Sequence, residues 1–248
     1  MSEISPQKHL CLALLLAFFS GICSLLLFPY LLALFPKLQQ IPIPFALFVA
    51  IQVLQGIVLT FFASWLGLKM GAAVGLDCPF LRAWVYKQPI PRQQNFLSAA
   101  ALGLAMGIVV AFLDRFLLMP LQPASVQSLG QNIVWWKGLL ASFYGGWTEE
   151  ILTRLFVMTF FVWLLKKITG SGTARIYSSG IVLAALIFAA AHLPGAAQLS
   201  ALTVPVLLRV LLLNGLLGIP YGLLFWKKGL EHAMLAHFCT DIILHVVS

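Results

Sequence analysis

Charge is what this sequence has least of. Only 9% of its 248 residues are Asp, Glu, Lys or Arg, where a soluble domain carries about 25%. So few polar side chains cannot cover a water-soluble fold of this size, and a soluble globular domain is excluded. Disorder and a coiled coil need polar or charged repeats that are missing here. Acids are scarcest of all: seven Asp and Glu stand against fifteen Lys and Arg, for a net charge of +8. Cysteine is sparse too. Cys11, Cys23, Cys78 and Cys239 form no C-x-x-C pair, which leaves neither a disulfide framework nor a thiolate metal site. The chain has no phosphate-binding G-x-x-x-x-G-K-[ST] loop, no G-x-S-x-G nucleophile turn and no H-E-x-x-H zinc pair.

What the sequence does hold is hydrocarbon. Hydrophobic residues make up 61% of it, and the mean hydropathy is +1.00. A membrane crossing takes about 20 apolar residues. The chain therefore predicts an all-α, polytopic transmembrane helical bundle of about seven spans, with six to eight as the range. The apolar stretches run over 9–35, 42–67, 96–120, 133–165, 176–192, 202–226 and 230–247. Residues 1–125 supply the N-terminal helices and a basic loop. Residues 126–248 carry the candidate chemistry. Gly103 with Gly107, and Gly218 with Gly222, are spaced four apart as in closely packed membrane helices.

Basic residues set the orientation. Lys8, Lys69, Arg82, Lys87, Arg92, Lys166, Lys167, Arg175, Lys227 and Lys228 fall on one side of this alternation, and only Lys37 and Lys137 on the other. The positive-inside bias predicts a cytoplasmic N-terminus in a multi-pass protein of the cell (inner or plasma) membrane. The net positive charge is then read against lipid headgroups, with no nucleic acid as partner.

The acids are unevenly placed. Glu3, Asp77 and Glu231 sit in loops or at interfaces, whereas Asp114, Glu149, Glu150 and Asp241 fall inside apolar spans. A charge near the bilayer centre costs about 2.5–3.5 kcal/mol on insertion scales, so such residues are functional candidates by default. In Trp147-Thr148-Glu149-Glu150-Ile151-Leu152-Thr153-Arg154, Glu150 and Arg154 share a helical face. Glu149 points about 100° away and is the freer carboxylate, suited to activating water. His192 follows Phe188 by four residues, before Pro194-Gly195, which predicts a helix stop there. His237 and Asp241 lie four apart in the last span, where Asp241 can orient the imidazole. Asp114 and Arg115 are adjacent and read as facing different ways, with Arg209 as a partner for Asp114. Glu231, His232, His245 and His9 read as interfacial. Water activation by direct base chemistry and at a zinc ion both suit this inventory, since zinc takes His nitrogens and carboxylate oxygens.

Glu149-Glu150-x-x-x-Arg154, then Phe188-x-x-x-His192, then His237-x-x-x-Asp241, each on its own membrane helix, resembles the CPBP family of CAAX proteases and bacteriocin-processing enzymes, also called Abi. Its members include the type II CAAX prenyl endopeptidase. The resemblance covers roughly residues 130–248. It implies intramembrane hydrolysis of a peptide bond in a membrane-associated peptide or protein. Glu149 would activate water with help from His192, Glu150 and Arg154 would support the site, and His237 with Asp241 would stabilise the oxyanion or orient substrate. The family commonly has asparagine where this chain has Asp241, and an ionised aspartate cannot donate to an oxyanion. A metal, most naturally Zn2+, would draw on Glu149, His192 and His237. The alternatives are a proton-coupled transporter and a catalytically inactive membrane scaffold or immunity protein. Transport is disfavoured by the absence of inverted repeats.

One geometric demand follows. Glu149 lies about 24 Å from the Lys166 end of its helix, and His237 only about 10 Å from Gly229, at 1.5 Å per residue. Straight helices of equal footing would keep them apart. The prediction is tilt, a shifted start for the last span, or a fifth span that ends deep.

Overall fold

In lipid the backbone has no water to bond to, so apolar runs of this length can only close their hydrogen bonds as helix. The computed structural model describes residues 6–90, 95–128 and 133–247; Glu3, Arg92 and the Lys8 side chain lie outside the described residues. Among these it is all-helical, without a strand. The helices are α1 (Pro6–Leu34), α2 (Phe45–Val74), α3 (Pro79–Val85), α4 (Phe96–Leu113), α5 (Ala124–Gln127), α6 (Trp135–Phe143), α7 (Thr159–Thr169), α8 (Ala174–Ala191), α9 (Leu193–Leu199), α10 (Val204–Lys228) and α11 (Leu230–Ile242). Wider π turns at Asp114–Leu118 and Ile243–Val247 extend α4 and α11. Two more, Tyr144–Glu149 and Ile151–Met158, join α6 to α7 in one rod.

Six helical runs are long and apolar enough to cross a membrane: His9–Leu34, Phe45–Val74, Phe96–Leu121, Ala174–Leu199, Val204–Lys228 and Leu230–Val247. This is a multi-pass membrane protein. The seventh expected span is the rod from α6 through α7, which carries Glu149, Glu150 and Arg154. The fifth expected span ends at Ala191, with His192 as its cap, and a further helix then runs from Leu193 to Leu199. Pro194 occupies the first turn of α9, where its missing N–H costs nothing.

Packing follows the small residues. A Cβ at Gly103 would collide with the Ala236 carbonyl, and one at Gly107 with Ile243, so α4 lies directly on α11 and its π extension. Gly218 and Gly222 admit Ala185 and Ile181 in the same way, pressing α10 onto α8. Both four-residue glycine spacings thus mark helix seams.

One end of the bundle gathers the basic residues. Tyr177 donates to the Val74 carbonyl and stacks on Trp226 at 4.9 Å. Lys166 Nζ donates to the Ala73 carbonyl at 2.7 Å, and Leu230 N–H to the Asp77 carbonyl at 3.1 Å. Phe96 packs on Phe80 at 5.4 Å. The ends of α2, α7 and α10 and the starts of α4, α8 and α11 therefore lie together, and with them Lys69, Arg82, Lys166, Lys167, Arg175, Lys227 and Lys228.

Here the chain solves the depth problem. After the left-handed Gly75 (φ 73°), residues 75–78 turn back along α2 instead of leaving it. Leu76 and Cys78 are fully buried. The Leu76 carbonyl sits against Gly71, whose other neighbour is Thr159. Because Leu230, the first residue of α11, is bonded to Asp77, it lies level with the beginning of α7. The last span has a shifted start, one of the three solutions expected.

Three residues expected at interfaces are instead buried here: Glu231, His232 and His9. Glu231 Oε1 accepts from Leu81 N–H at 2.7 Å, and His232 stacks on Phe96 at 4.5 Å. The fold-back that buries Cys78 also buries them.

Candidate active site

The π turns decide which way the rod's polar residues point. Their hydrogen bonds reach back five residues, so successive side chains do not follow the α-helical 100° step, and such turns recur at functional sites. Side-chain hydroxyls hold the widened backbone: Thr153 Oγ1 donates to the Glu149 carbonyl at 2.6 Å, and Thr159 Oγ1 to the Arg154 carbonyl at 3.2 Å.

Glu150 and Arg154 are fully buried, with Nε to Oε2 at 3.2 Å. The contact is ionic rather than an aligned hydrogen bond, for Oε2 and the whole guanidinium lack a hydrogen-bond partner. The cation is held by ring faces instead: Phe188 lies 5.1 Å and Tyr221 5.6 Å from its Cζ. Oε1 of Glu150 accepts from His237 Nδ1 at 2.8 Å. A carboxylate only accepts, which places a proton on Nδ1 and turns Nε2 toward the other acids. Nε2 stands 3.9 Å from Glu149 Oε2 and 3.6 Å from Asp241 Oδ1. Tyr221 stacks on the imidazole at 4.7 Å.

Phe188 explains the spacing of its own motif. Its ring meets His237 edge-on at 5.8 Å and His192 at 4.8 Å, so one aromatic side chain spaces the two histidines. His192 Nδ1 bonds the Phe188 carbonyl at 2.8 Å.

A cavity of about 700 Å³ opens beside this cluster, and Glu149, His192, His237 and Asp241 all line it. All four residues expected at the reacting face are brought together, with Glu150 and Arg154 behind them. Glu149 keeps 26% of its side chain exposed, against none for Glu150. The two neighbours thus differ in exposure in the sense expected. Among the described residues no group of three or more His, Cys, Asp or Glu side chains is arranged to hold a metal ion.

Several site residues escape a reading of spacing alone. Gly145 carries no chemistry, yet a Cβ there would overlap Asp241 Oδ2 and crowd His237 Nε2. Tyr221 and Tyr144 are aromatic residues in apolar runs, without a distinguishing signal. His245 lines the cavity, 4.0 Å from Asp241 and 3.4 Å from the Tyr30 hydroxyl; its i,i+4 spacing from Asp241 was the available signal. Asp114 and Arg115 both line the cavity. Arg209 does meet Asp114, with two bonds of 2.6 and 2.7 Å.

The class this architecture defines is a polytopic helical bundle with a carboxylate–histidine cluster facing an intramembrane cavity. Residues 131–243, a little under half of the chain, match the family model described as type II CAAX prenyl endopeptidase Rce1-like. The match includes every residue of the cluster. The segment is therefore similar to that family of hydrolases. No curated protein and no solved structure matches the chain.

Proposed function

We propose that the protein is an intramembrane endopeptidase whose Glu149 activates a water molecule against a peptide bond of a membrane-associated substrate. One observation carries the reading: a partly exposed carboxylate lies by His237 Nε2 on the cavity, while its neighbour Glu150 is buried between that imidazole and Arg154. In the proposed step Glu149 takes the water proton, the water oxygen attacks the carbonyl carbon, and the carboxyl group returns the proton to the departing amine. His192 and His237 flank the developing tetrahedral oxygen. Asp241 sits on the Nε2 side of His237 and orients it, a task an aspartate can perform where an oxyanion donor is not required.

The shape of the cavity supports hydrolysis over transport. Its lining comes from Tyr30, Asp114, Arg115, Tyr144 and Arg209 at one end down to Glu149 and His237, with no residue of the basic end. Between the site and the basic end lie the buried Leu155, Met158, Phe225 and Leu230. A transport route would need polar lining on both sides. With the basic end cytoplasmic, the cavity opens to the opposite face of the cell membrane.

The test is cleavage of a membrane-peptide library by purified protein in detergent, comparing wild type with Glu149→Gln and His192→Ala. Glu149→Gln should lose about 10²–10⁴-fold in kcat with folding intact. Equal cleavage by all three would sink the assignment. Metal content on the same samples tests zinc assistance at Glu149, His192 and His237; zinc bound by wild type and lost in the variants would make the water metal-bound.

A further inference from the structure

The family match runs from residue 131 to residue 243, and two polar residues of the cavity wall fall outside it. His245 lies in the π turn that extends α11, and Tyr30 near the end of α1; both line the cavity. Neither takes part in the proposed water activation. Both are nevertheless seated closely against the site. A Cβ at Gly138 would collide with the His245 carbonyl and crowd its Cβ, so α6 lies directly on the backbone that carries this imidazole. The Tyr30 hydroxyl stands 3.4 Å from His245 Nδ1, and the two rings meet edge-on at 5.4 Å. On the other side of the ring, Nε2 stands 4.0 Å from Asp241 Oδ1.

Hydrogen-bond chemistry gives this row one direction. An ionised aspartate only accepts. Oδ1 of Asp241 faces two ring nitrogens, Nε2 of His237 at 3.6 Å and Nε2 of His245 at 4.0 Å. Oδ2 occupies the space that Gly145 leaves by having no Cβ. His237 holds its proton on Nδ1, toward Glu150, so in the neutral ring its Nε2 turns a lone pair to Asp241. His245 is the ring that can supply the donor. With its hydrogen on Nε2, a neutral imidazole keeps Nδ1 as an acceptor, and the Tyr30 hydroxyl is placed to donate there. The row then reads Tyr30 O–H to His245 Nδ1, and His245 Nε2–H toward Asp241 Oδ1. At 4.0 Å the last contact is electrostatic rather than a hydrogen bond.

We infer that Tyr30 and His245 are positioning residues that hold Asp241 with Oδ1 beside His237 Nε2. This rests on the endopeptidase reading and extends it: α1, which lies outside the matched segment, supplies part of the site. Asp241 steadies His237, His245 steadies Asp241, and Tyr30 fixes the tautomer in which His245 can do so. Neither Tyr30 nor His245 acts on the reacting atoms.

Two measurements on the full-length protein in detergent test this. The first is independent of cleavage. With the histidine nitrogens isotope-labelled, long-range nitrogen–proton correlation spectra report which ring nitrogen carries hydrogen, and His245→Gln identifies the signal. At about pH 8, above the ordinary imidazole range, His245 should carry hydrogen on Nε2 alone. Tyr30→Phe and Asp241→Ala should each turn that pattern into a mixture of tautomers. Hydrogen on Nδ1 in the wild type, or a pattern that either variant leaves unmoved, overturns the inference.

The second is peptide cleavage. His245→Leu should lower kcat about tenfold to a hundredfold with KM nearly unchanged, as a small misplacement of the site does. Tyr30→Phe should lower it about twofold to tenfold, the worth of one neutral hydrogen bond. His245→Gln, whose amide can donate to the same oxygen, should recover most of the rate. In the Asp241→Ala background His245→Leu should cost nothing further; a full loss there would mean that His245 acts on the substrate itself and overturns the assignment. The expected tautomer in a protein that cleaves no peptide would retire the hydrolase reading alone. Cleavage by a protein with hydrogen on His245 Nδ1 would retire this inference alone.

Discussion

Glu150–Arg154, buried behind the cavity, and Asp114–Arg209, on the cavity wall toward its mouth, are both carboxylate–guanidinium pairs, and their geometry ranks them in the wrong order. The mouth pair is bidentate, with 2.6 and 2.7 Å bonds, but its side chains are 28% and 19% exposed. The deep pair makes a single 3.2 Å contact and is completely buried. Bond length alone would call the mouth pair the stronger. Burial reverses that, because a charge deprived of its partner in a dry interior has nowhere to go, whereas a partly wetted one is rescued by solvent. The deep pair is also tied to His237, Phe188 and Tyr221, so its loss spreads through the site.

Breaking the deep pair should give the largest effect. Arg154→Ala leaves Glu150 uncompensated and should cost about 3–5 kcal/mol, read as a lowered unfolding midpoint in detergent; a loss below about 1 kcal/mol would mean that the rings and His237 suffice to hold the acid. Gly145→Ala comes next, and it separates activity from stability. The added methyl group must displace Asp241 and disturb His237, and a misplacement of about 1 Å costs on the order of 10² in rate. Cleavage should therefore fall steeply while the unfolding midpoint barely moves. Asp114→Asn should be the smallest, with about 0–1 kcal/mol lost. A large destabilisation here would erase the contrast between the two pairs.

Much of this was legible in the sequence, for local reasons. The spans follow from hydropathy, and the glycine seams from four-residue spacing. Glu150 with Arg154, and Asp114 with Arg209, follow from the cost of an unpaired charge in lipid. What was hidden depends on two departures from local regularity. Helical spacing assumes 100° per residue, so the π turns of the rod were invisible. The fold-back at residues 75–78 is a tertiary event, and it both buries Glu231, His232 and Cys78 and sets the depth of His237. The stop before Pro194 was legible, but the new helix that starts at Leu193 was not, because a proline in the first turn of a helix looks in sequence like a proline just after one.

The wide turns in the rod also carry a lesson in counting. A π turn is an α-helix holding more residues than its length requires. Tyr144–Glu149 and Ile151–Met158 can therefore be regarded as residues accommodated without lengthening the rod. Removing one residue from 144–148 would let the turn close to ordinary α geometry with its flanks kept nearly in phase. α6 would keep its seat on the end of α11, while the side chains inside the turn would be reassigned and Gly145 would leave Asp241.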